Sequence, residues 1–132
     1  MPSPSRVLVV DPDPEFCSAI TATLGLRLPR LECQSARGIW DALNWVRTSE
    51  FDVIMTYAEM PPLATMSFLR TVRHIRPLSQ VIVIASQLDQ RTFEDVKTLG
   101  ATILEKPVDR HILARTVEGI LRKAGNASGA ET

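Results

Sequence analysis

The stretch FDVIMTYAEMPP, residues 51–62, decides how this chain folds. Val53, Ile54 and Met55 form an apolar run behind a single acid, Asp52, and Met60-Pro61-Pro62 closes it. Proline has no N–H to give to a strand ladder, so the run must end before it. The pattern predicts a short buried strand that carries Tyr57 to its C-terminal end. In open α/β sheets, ligands and chemistry gather at that end.

Composition sets the limits around this strand. A chain of 132 residues suits one domain. A domain of this size buries roughly two-thirds of the surface its unfolded chain exposes. Lys plus Arg and Asp plus Glu both number 15, so the formal net charge is zero. A neutral chain offers no electrostatic footprint for nucleic acid or an anionic membrane. The expectation is therefore a soluble cytoplasmic protein with protein or small-molecule partners, no nucleic acid and no membrane. Cys17 and Cys33 are far apart and outside any CxxC, and they read as small buried hydrophobes. No apolar run approaches the ~18 residues of a membrane span.

Outward from residue 51, strands and helices alternate. Val7 to Val10 and Val81 to Ala85 are apolar on both faces, as central parallel strands are. Asp11 or Asp13 can cap the helix that follows the first of these, and Pro14 suits its first turn. That helix is expected to reach about Leu26. A weak strand is expected at Leu31–Cys33 and a helix from about Ala36 to Thr48, with Ile39, Ala42, Leu43 and Val46 as its apolar stripe. Met66, Phe68, Leu69, Val72 and Ile75 mark a third helix before Pro77. A fourth spans about Gln90 to Leu99 and ends at Gly100. A last strand at Thr102–Leu104 leads to a helix capped by Asp109 and ending near Lys123. The expected organisation is a flexible N-terminus over 1–5, one domain over 6–124, and a disordered tail or linker over 125–132. Alternation of this kind implies a parallel sheet with right-handed crossovers and helices on both faces.

Four stretches in order, VLVVDPDPEF, DVIMTYAEMPPLATMSFLRTVR, VIVIAS and GATILEKPVDRHIL, resemble the receiver domain of bacterial response regulators. The resemblance covers about Arg6 to Lys123. It implies the flavodoxin-like (βα)5 fold, a doubly wound sheet of five parallel strands in order 2-1-3-4-5. It also implies a role in two-component signalling rather than an enzymatic one. Receivers of this family accept a phosphoryl group on an aspartate at the end of the third strand. Mg²⁺ held by further carboxylates neutralises the developing charge, while a lysine and a hydroxyl hold the phosphoryl oxygens.

Carried over position by position, the resemblance puts Tyr57 at the phosphoacceptor position, three residues before Met60. A phenol with a pKa near ~10 does not replace an ionised carboxylate as nucleophile. Of the two adjacent acids after the first strand, Asp11 is present and the second position is Pro12. The hydroxyl position falls on Ala85, with Ser86 one place on and of opposite parity. Lys106 before Pro107 is kept, and the switch aromatic is Ile103. One carboxylate from three predicts lost or weak Mg²⁺ binding and no other cofactor. Glu59 and Asp13 are poor substitutes, because coordination needs convergent geometry. For Asp11 and Lys106, a pair across the sheet edge is the simpler role. For Tyr57 it is a plug in the former site.

The reading is thus a pseudo-receiver, a phosphorylation-independent interaction module. Two alternatives stay open: an atypical receiver that is still phosphorylatable, and the regulatory domain of a longer transcriptional regulator. A flavodoxin-like cofactor binder ranks last, because the first strand–helix loop, DPDP, is acidic and glycine-free. For partners, the resemblance points to the face of the fourth helix, fifth strand and fifth helix, where a homodimer is also possible. Phe93, Val96, Lys97, Ile103 and His111 are the candidates there. Trp45, off its helix stripe, is a further candidate, whereas Trp40 is expected to be half-buried.

Overall fold

The computed structural model describes the backbone of residues 4–58 and 62–130, and their side chains except at 62–63 and 124–130. Five strands alternate with five helices. In chain order they are β1 (Arg6–Val10), α1 (Pro14–Arg27), β2 (Glu32–Ala36), α2 (Ile39–Thr48), β3 (Val53–Tyr57), α3 (Pro62–Ile75), β4 (Gln80–Ala85), α4 (Gln90–Thr98), β5 (Thr102–Glu105) and α5 (Arg110–Ala130). All strands are parallel, in the order β2-β1-β3-β4-β5. The expected topology is the observed one.

The side-chain period of two sorts each central strand between two cores. Val7 and Val9 of β1, Val53 and Met55 of β3, and Ile82 and Ile84 of β4 face α1 and α5. There they meet Ile20, Leu24, Leu113 and Val117. Leu8, Val10, Ile54, Val81 and Val83 face the other way, toward Leu43 and Val46 of α2, Phe68, Leu69 and Val72 of α3, and Val96 of α4. Both faces of β1, β3 and β4 are therefore covered, which is why those sequences show no polar alternation. The edge strands β2 and β5 keep exposed positions at Glu32, Ser35, Thr102 and Glu105.

Several boundaries differ from the sequence reading. β2 runs to Ala36, and α2 begins only at Ile39, behind Gly38 as its N-cap. Ala36 has strong helix propensity, but pairing of β2 with Val10 and burial on the sheet override it. α5 continues to Ala130, past Lys123, so backbone that the sequence reading assigned to a tail is helical. No proline interrupts residues 124–130. Residues 1–3, 59–61 and 131–132 lie outside the described residues, and with them most of the proposed N-terminal segment, Glu59 and the Met-Pro loop.

The tryptophan expectations are reversed. Trp40 is 80% exposed, whereas Trp45 is half-buried against the core on the α2 side. The two flank the α2 stripe on opposite sides, and only tertiary packing decides which flank is covered. Val96 is fully buried, so it is a core residue and not a surface candidate.

Candidate functional site

The parallel register brings the predicted positions to one edge of the sheet. Val10 pairs with Thr56, so Asp11 and Tyr57 follow as neighbours at the C-terminal ends of β1 and β3. Tyr57 in turn lies opposite Ile84, and Ala85 opposite Glu105. The Lys106 N–H donates to the Ala85 carbonyl at 2.8 Å, which fixes Lys106 just past β5. Asp11, Tyr57, Ala85 and Lys106 are thus gathered along one edge, and Pro12 stands next to Asp11. The Lys106–Pro107 peptide bond is cis.

Asp11 is only 8% exposed. Its N–H donates to the Ala36 carbonyl at 2.9 Å, and its Oδ1 accepts from the Asp13 N–H at 2.9 Å. Beneath it, the Cys17 Sγ donates to the Asp11 carbonyl at 3.6 Å. Burial pushes the Cys17 thiol pKa up, and the nearby Asp11 carboxylate adds to the effect. Asp13 is occupied locally: its Oδ1 caps α1 by accepting from the Glu15 N–H at 2.9 Å. Asp52 likewise serves the backbone, its Oδ2 accepting from the Arg6 N–H at 2.8 Å.

Tyr57 is half-buried and packs against the apolar cluster on the α2–α3–α4 side of the sheet. Ala85 is buried, and Ser86 is exposed beyond the end of β4. Parity therefore holds, and Ser86 does not take the place of Ala85 on the strand. Ile103 is half-buried against the same cluster as Tyr57. Between Ala85 and Ile103 opens a cleft of about 640 Å³, walled by Phe93, Asp89 and Glu105. A sequence reading of separate positions does not reveal this cleft; Ala85 lies opposite Glu105 and Ile103 opposite Val83, so the small residue and the aliphatic one stand diagonally across β4 and β5. Among the described residues, no three His, Cys, Asp or Glu side chains are grouped so as to hold a metal ion.

The surface candidates separate on burial. Lys97 and His111 are exposed, and the Lys97 ammonium lies 5.6 Å from the centroid of the half-buried Phe93 ring. Ile112, next to His111, is 48% exposed and was not among the candidates.

Fold and edge together define a receiver-type α/β domain. Residues 7–118 match the response regulator receiver domain family, and the chain belongs to it. A curated relative is the response regulator protein PilR of Pseudomonas aeruginosa, 26% identical over 121 residues that make up 91% of this chain. The chain spans only 27% of that relative's length. A CheY-like receiver domain protein from Methanospirillum hungatei superposes with a TM-score of 0.85 at 18% identity, over 95% of this chain and 99% of that one. The chemotaxis response regulator CheY4 of Vibrio cholerae gives 0.74 at 23% identity, over 88% and 98%. Receiver domains are signalling modules of two-component systems that act through protein partners. Among the described residues, no helix is long and apolar enough to cross a membrane.

Proposed function

We propose that this domain is a pseudo-receiver, one that signals through a fixed protein-binding surface without aspartyl phosphorylation. The observation that carries this reading is Tyr57, which stands at the acceptor position with its ring packed on the core. A phenol there supplies neither a carboxylate nucleophile nor a metal ligand. Pro12 removes a second carboxylate, and Ala85 the hydroxyl. The donor set does not suit Mg²⁺, which is held through carboxylates and water in near-octahedral geometry. Asp11 is the sole acid kept from that set, and Asp13 is committed to capping α1. Asp11 and Lys106 then act as polar closures of the sheet edge.

Partner binding falls to exposed groups on α4 and α5. Lys97 and His111 on α4 and α5, with Phe93, which lines the cleft and lies under the Lys97 ammonium, are the residues we assign to it, for a partner protein or a second copy of the chain. The chain alone, neutral overall, is not expected to bind DNA. Mg²⁺ titration followed by tryptophan fluorescence tests the reading. The expected trace is flat to millimolar Mg²⁺, and a saturable response would favour a receiver that is still phosphorylatable.

A further inference from the structure

The cleft beside β5 has a charge pattern that selects what can enter it. It opens between the ends of β4 and β5, the loop of residues 86–89 and the first turn of α4, with a volume of about 640 Å³. The side-chain period of two puts Ile103 and Glu105 on one face of β5. Val83 and Ala85, their partners on β4, face the same way, toward α4. Ala85 offers only a methyl group opposite Glu105, so space stays open above it. Ala85, Leu88, Phe93 and Ile103 make the walls largely apolar.

Every charged residue lining the cleft is an acid. Asp89 and Glu105 stand on it, and no lysine, arginine or histidine is among its lining residues. The Asp89 Oδ1 accepts from the Thr92 N–H at 2.7 Å, and a carboxylate keeps further acceptor sites after one such bond. Hydrogen bonds from Thr92 hold the Asp89 carboxyl below its ordinary pKa, and Arg91, outside the lining, adds the least. The Glu105 side chain is exposed, and among the described residues its carboxylate makes no ion pair. On a chain of zero net charge, this acidic lining is a local feature.

An occupant that matches these walls needs an apolar stem and a cationic head. Arginine has both: its planar fork suits carboxylates and lies flat on aromatic rings, and its stem covers apolar surface. Phe93 belongs both to the cleft and to the surface assigned above to a partner protein, so the two are continuous. We propose that a partner protein anchors here through an arginine flanked by apolar residues, its guanidinium meeting Asp89 and Glu105 and its stem lying against Phe93 and Ile103. This rests on the reading that places partner binding on α4 and α5, and it names what the partner must present. Neither acid occupies a position of phosphoryl chemistry, so this proposal and the Mg²⁺ titration fail independently.

The test uses the full chain and a short fluorescein-labelled peptide with one arginine between two leucines, read by fluorescence anisotropy. Saturable binding is expected that weakens about fivefold in Glu105→Gln and about fivefold in Asp89→Asn, as for carboxylates at an exposed rim. Asparagine still caps a helix, so the second substitution removes the charge and keeps α4 in place. Phe93→Ala should weaken binding as well. The same peptide with citrulline, a neutral isostere, in place of arginine should not bind. Absence of binding by the arginine peptide would overturn the proposal, as would equal binding of the citrulline peptide or binding that ignores all three substitutions. Binding of spermidine without binding of the peptide would overturn it in favour of a small polyamine.

Discussion

The two edges of the sheet solve the same problem with opposite charges. At the N-terminal edge, where α2, α3 and α4 end, arginines close the unpaired carbonyls. Arg73 donates through Nε to Leu99 at 2.6 Å, through Nη1 to Ser79 at 2.6 Å and through Nη2 to Gly100 at 3.1 Å. Arg76 reaches the Val46 carbonyl at 2.8 Å. Gly100 has a φ of +80, a conformation that favours glycine, and its backbone lies against the Arg73 guanidinium. At the C-terminal edge, where α1, α4 and α5 begin, acids do the matching work: Asp13, Asp89 and Asp109 accept from the first helical N–H groups. Among the described residues, three acids at this edge thus serve as helix caps. In the proposed pseudo-receiver, Asp11 and Lys106 are what remains of the family's charged set there. A framework can keep its termini in order while its chemical residues change, because different side chains carry the two tasks.

This contrast can be broken at either edge. Replacing Arg73 by Ala strips donors from four carbonyls at once, those of Leu99, Pro77, Ser79 and Gly100, and should lower stability by about 2–4 kcal/mol, read from the urea midpoint. Placing a carboxylate in the other edge should cost less. Tyr57→Asp sets a charge against the apolar cluster that the ring now covers, and we expect a loss of about 1–3 kcal/mol in the same assay. A gain in stability on that substitution would show that the ring is strained rather than packed. The smallest effect is that of the thiols. Burial raises the pKa of both Cys17 and Cys33 from the ordinary 9.0. Each thiol then holds its proton more tightly folded than unfolded, so its contribution is complete below pH 9.0 and is lost as pH climbs through the raised value. Replacing both cysteines by alanine should flatten the alkaline fall in melting temperature; an unchanged slope would assign that fall to other groups.

The sequence shows the central strands plainly and the edges poorly, for a physical reason. Val7–Val10 and Val81–Ala85 are covered on both faces, so burial alone writes their pattern. β2 is an edge strand, ECQSA, whose exposed side chains carry no such signature, and its last residue was read as the start of a helix. At the site, parallel register brings Tyr57, Asp11, Ala85 and Lys106 to one edge once the strands are placed, whereas their reading as site positions comes from the family resemblance. Burial of individual helix residues was not: Val96 turned inward, and Trp40 and Trp45 exchanged roles. Periodicity gives the centre of a helix's apolar stripe but not which flank a neighbouring helix covers. The arginine closures were invisible for a similar reason, since a surface-type residue reaches its carbonyls only after three helices have packed.

The central claim is that the edge holding Tyr57 no longer accepts a phosphoryl group. Intact-mass measurement after incubation with acetyl phosphate and Mg²⁺ tests it directly. The account predicts an unchanged mass. A gain of one phosphoryl group that is lost at alkaline pH, as an acyl phosphate would be, would contradict it.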